Sequence, residues 1–148
     1  HEEPRVELGY LLTAAQLTSS NSLLDADPTA LSSTSIKELI TRSGRSLSAL
    51  VRGPNSLGSL LEARSVLCVP SPSKAAPTPG ADYFSGAYDV QAHGSRDAGS
   101  VSAIQVECPW KGVRDTEANR KVFVEALADC LVQYFPAVFK MPLAKKQR

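Results

Sequence analysis

Histidine is scarce in this 148-residue chain. There are two, His1 and His93, alongside three cysteines, one methionine and one tryptophan. Two histidines so far apart form no metal-ligand motif on their own. The cysteines, Cys68, Cys108 and Cys130, are too few for a disulfide framework. One internal bridge with a spare thiol, a bridge to another chain, and three reduced thiols all stay open. An excess of one charge is also missing: 16 basic and 15 acidic side chains leave a net +1, and no basic stripe carries interleaved aromatics. Nucleic acid and anionic membrane surfaces are therefore not expected as partners. No apolar run approaches the roughly 20 residues that span a bilayer. A Gly-x-Ser-x-Gly elbow, a Cys–His pair with an orienting acid and a phosphate-cradling loop are absent too, which argues against nucleophilic and nucleotide chemistry.

What is present fits one ordinary domain, with 43% hydrophobic residues to fill its core. RVELGYLLT, residues 5–13, alternates Val6, Leu8, Tyr10 and Leu12 with its neighbours and predicts a strand. Residues 18–35 are rich in Ser, Thr, Asn and Asp and predict a loop with a helical turn near 23–26. Ser35 with Glu38 has capping-box spacing for a helix ending at Gly44. Ser46 caps a second helix that stops at Gly53-Pro54, and Asn55 or Ser56 caps a third. Val66–Val69 predicts a buried strand, and the proline-rich 70–81 stretch a long surface loop. Tyr88–Ala92 and Val101–Glu107 predict two strands joined as a hairpin through HGSRDAG. Thr116 caps a long helix that Pro136 interrupts near Phe135, leaving a basic tail over 140–148. Strands interleaved with helices give an α/β class, with a mixed sheet flanked by helices.

The strand VSAIQVE closes on a carboxylate, Glu107, where an apolar residue would cost less. Alternation allows a solvent-facing acid, burial against an arginine, or a general base at a strand end. Arg52 and Arg96 can each offer a bidentate grip to a substrate carboxylate. His93, in a glycine-rich turn, can bind substrate or shuttle a proton.

The segment YFSGAYDVQAHGSRDAGSVSAIQVECPW, residues 83–110, resembles the C-terminal signature of the N-formylglutamate amidohydrolase family, whose fold is related to the zinc carboxypeptidases. RVELGYLLT, LSALVRGPNSLGSLLEAR and GVRDTEANR resemble a subgroup of the same superfamily, so the likeness covers most of residues 5–135. It implies the C-terminal portion (residues 1–139) of a zinc-carboxypeptidase-like domain, with Glu107 as general base beside a zinc ion. Two departures stand out: Ala87 replaces a second glycine, and Cys108-Pro109-Trp110 follows the glutamate. The family's main zinc ligands lie upstream of this chain's residues. The resemblance makes His1 the last residue of a ligand segment, and the chain a processed product completed by an N-terminal partner chain of the same precursor, disulfide-linked or not. The expected activity is hydrolysis of an N-acyl amino acid or peptide amide bond by a secreted protein. The alternative is a secreted, non-catalytic binding, metal-binding or structural protein that keeps the fold, with a small molecule or peptide as ligand.

Overall fold

A computed structural model describes residues 4–96 and 99–140; His1 and the basic tail from 141 onward lie outside the described residues. Three strands form one mixed sheet in the order β2-β1-β3. The central strand β1 (Val6–Gly9) pairs in parallel with β2 (Cys68–Val69) and antiparallel with β3 (Gln105–Glu107). The α/β class with a mixed sheet and flanking helices holds. The antiparallel partner of β3, however, is β1 rather than a hairpin neighbour.

Between β1 and β2 the chain winds through six short helices: α1 (Ala14–Thr18), α2 (Asn21–Ala26), α3 (Pro28–Ser33), α4 (Lys37–Ser43), α5 (Leu47–Arg52) and α6 (Leu57–Glu62). The expected loop over 18–35 is thus largely helical. Its polar residues act as caps: Ser20 accepts from Leu23 N and Asp27 from Thr29 N, with Pro28 in the first turn of α3. Thr13 and Gln16 form a full capping box on α1. Ser46 and Ser56 cap α5 and α6 as expected, and Gly44 closes α4 with a left-handed φ of 65°.

One strand expectation fails and another is shortened. Tyr88–His93 is a helix, α7, with Tyr88 exposed and only Val90 buried. Its alternating apolar residues are a two-period accident in a six-residue element. Residues 101–104 lead into β3 without ladder pairing. Ser35 is not a helix cap either. Its hydroxyl donates to Ala103 O (2.7 Å), and α4 begins two residues later, at Lys37.

The core gathers Val6, Leu8, Tyr10 and Leu12 from β1 and its extension with Leu17, Leu24, Ile36, Leu39, Leu47, Leu50, Val51 and Leu61 from the helical region. The last helix, α8 (Glu117–Phe139), adds Ala126, Cys130, Tyr134 and Val138. Thr116 caps it. Pro136 does not end it. The final turn carries Val138 into the core, and Arg45 Nη2 donates to Ala137 O (2.7 Å), so packing holds the turn that proline weakens. By length and composition alone this 23-residue helix could cross a membrane, which the sequence reading did not anticipate. Here one of its faces is packed into the core.

Candidate functional site

Register alone sets two acids side by side. Glu7 of β1 is paired with Glu107 of β3, and Gly9 with Gln105. Strand alternation sends Glu7, Glu107 and Gln105 to one face and Leu8 and Val106 to the core face. On the polar face Gln105 Nε2 donates to Glu107 Oε2 (3.3 Å), while Gln105 Oε1 is buried and finds no donor among the described residues.

The segment after the proline-rich loop lies across this face. Tyr83 Oη donates to Leu8 O (2.7 Å), Phe84 N to Glu7 Oε2 (2.8 Å), and Leu11 N to Ser85 O (2.6 Å). Gly9 makes the approach feasible, because a Cβ there would sit 2.7 Å from Ser85 C. Burial pushes the Glu7 carboxyl above its ordinary value, the Phe84 amide pulls it down, and the charges of Glu107 and Asp82 push it up again. Burial, with the Glu7 charge beside it, raises the Tyr83 phenol, so this hydroxyl is a neutral donor.

A second set of contacts fixes the stretch leading to Glu107. Ser95 N and Ala103 N both donate to Ser35 O, at 3.0 and 3.1 Å. Ser95 Oγ accepts from Glu38 N and Ser102 Oγ from Leu39 N, so these two serines cap α4 from a distant part of the chain.

The structure places the expected site residues unevenly. Glu107 is half-buried at the end of β3, with Glu7 as its neighbour. His93 closes α7, is exposed, and shares no hydrogen bond with Glu107 among the described residues. Arg96 is exposed just beyond it. Arg52 is 7% exposed, away from solvent, with Nε on Asn21 Oδ1 (2.8 Å), Nη1 on Leu17 O (2.5 Å) and Ala75 O (3.4 Å), and Nη2 on Ser19 O (2.7 Å). His1 lies outside the described residues. All three cysteines are free thiols, so no bridge forms within the chain.

Glu7 is the site residue that sequence reasoning missed. Its signal was available: it shares a face with Gly9, in a strand whose other face is wholly apolar. Only the cross-strand register shows that this face meets Glu107. The zinc implied by the resemblance does not fit the described residues by themselves. Among them no group of three or more His, Cys, Asp or Glu side chains could hold a metal, and no histidine reaches the carboxylate pair. Comparison with protein-family models, with curated proteins and with solved structures finds no match to this chain.

Proposed function

We propose that this chain is the C-terminal portion of a zinc-carboxypeptidase-like amidohydrolase, in which Glu107 is the general base for hydrolysis of an N-acyl amino acid or peptide amide bond. The observation that supports this is that two of the resembling stretches are anchored around the strand pair that carries Glu107. Phe84 N bonds Glu7, the cross-strand partner of Glu107, and Ser95, Ser102 and Ala103, ahead of β3, are tied to Ser35 and α4. In this reading Glu107 takes a proton from the attacking water and passes it to the leaving amine. Glu7, opposite it across the strands, has its pKa raised by burial and by the charge of Glu107. The zinc ligands would come from outside the described residues, with His1 and an N-terminal partner chain of a secreted precursor as sources.

The test is mass and metal analysis of the natively purified protein, under reducing and non-reducing conditions, together with an assay on N-acyl amino acids. A tight or covalent partner with about one zinc, and a Glu107→Gln variant that keeps its zinc but loses activity by roughly 10²- to 10⁴-fold, support the reading. A lone 15.8 kDa species with no metal and no partner overturns it in favour of a non-catalytic binding protein. Full activity in Glu107→Gln removes Glu107 from the mechanism.

A further inference from the structure

We infer that the cavity beside Arg52 is a binding site for a small carboxylate with a short apolar body. The cavity, about 380 Å³, lies between the α1–α2 corner, the end of α5 and the loop after β2, with Leu17, Ser19, Asn21, Arg52, Pro72 and Ala75 among its walls. Its chemistry is one-sided. Arg52 lines it while only 7% exposed, and the guanidinium makes no ion pair among the described residues. Asp25, whose charge favours the charged guanidinium, makes no direct bond to it: its two oxygens accept from Ser48 N and Ser48 Oγ, both at 2.7 Å. Burial works against the Arg52 charge, and the carbonyls around it and the charge of Asp25 offset this without a direct ion pair.

Donors are left over where acceptors are used up. Four of the five Arg52 N–H bonds have acceptors, and the second hydrogen on Nη2 has none among the described residues. Asn21 spends Oδ1 on Arg52 Nε, which leaves its Nδ2 free to donate, and no carboxylate lines the cavity. A carboxylate bridging Arg52 Nη2 and Asn21 Nδ2 would supply a directly bonded counter-charge, and Pro72 and Ala75 would take a short apolar tail. The site does not depend on the Glu107 reading, and its test does not measure hydrolysis.

The experiment is an ¹⁵N NMR titration of the full chain with acetate, run against chloride at matched ionic strength, with inorganic phosphate as a parallel arm. Acetate is expected to shift the Arg52 Nε–H and Asn21 side-chain amide signals saturably, while chloride does not. Asn21→Ala, at an exposed helix start, is expected to weaken the apparent Kd about tenfold or more, and Arg52→Lys at least as much. Tighter, saturable binding of phosphate at the same signals overturns the carboxylate assignment. Unmoved signals in the wild type leave Arg52 as a structural tie among carbonyls and overturn the site. If Arg52→Lys does not fold, the wild-type titration and Asn21→Ala decide.

Discussion

Glu7 and Glu107 face each other across two strands, and like charges in that position repel. The fold raises the Glu7 pKa, by burial first and then through Glu107 and Asp82, against the pull of the Phe84 amide. The folded chain therefore holds this proton to higher pH than the unfolded chain does. The associated stability is complete below the ordinary value of 4.5 and is lost as pH rises through the folded value. Glu7→Gln, which keeps an oxygen to accept from Phe84 N, should leave stability unchanged at low pH and raise it at pH 7 by up to about 1 kcal/mol. Thermal unfolding at both pH values checks this; an equal effect at the two would mean that charge is not the cause. Burial likewise orders the thiols. Cys68 is fully buried, donates to Gly58 O (3.2 Å) and has its pKa pushed up to about 12. Cys108 is half-exposed. Native alkylation followed by mass spectrometry should modify Cys108 first, with Cys68 protected until the protein unfolds.

At the level of elements, the path to Glu107 is held by long-range capping. Ser95→Ala and Ser102→Ala each remove an acceptor from the first turn of α4, and each should cost about 1 kcal/mol by denaturant unfolding. Ser95→Ala should also loosen Ser35 and Ala103, visible as faster amide exchange at Ala103. Gly9→Ala tests the other tie: a methyl 2.7 Å from Ser85 C should displace residues 83–86 at about 1–3 kcal/mol. These ties also mark the limit of what the sequence made legible. The caps at Ser46, Ser56 and Thr116 were readable because each offers its acceptor within three residues. Ser35 looked the same locally, yet its hydroxyl goes to Ala103, 68 positions away. Tyr88–His93 was misread because six residues support a two-residue period and a helical one almost equally. Glu107 was found as an oddity in an apolar strand, whereas its partner Glu7 needed a register that no local pattern encodes.

For the whole molecule, β1 is the axis of a single core: it pairs with both other strands, and with its extension carries four fully buried side chains toward the helices. Tyr10, just beyond β1, and Tyr134, from α8, are buried within this core. Neither phenol hydroxyl has a hydrogen-bond partner among the described residues. Burial raises both phenols, Tyr10 well above its ordinary value and Tyr134 to about 12, so both are neutral donors without acceptors at any ordinary pH. A buried hydroxyl without a partner costs about 1–3 kcal/mol, whereas the ring contributes packing that phenylalanine keeps. Tyr134→Phe should therefore be neutral to stabilising by about 1 kcal/mol, raising Tm by roughly 2–4 °C for a domain of this size. Tyr10→Phe should follow the same sign. Tyr134→Ala, by contrast, opens a hole beside Phe135 and Phe139 and should cost about 3–5 kcal/mol. Calorimetric unfolding of the three variants decides the point. A loss of stability in both phenylalanine variants would mean that each hydroxyl is satisfied through a buried water, and the joint of sheet and α8 would then be a polar one.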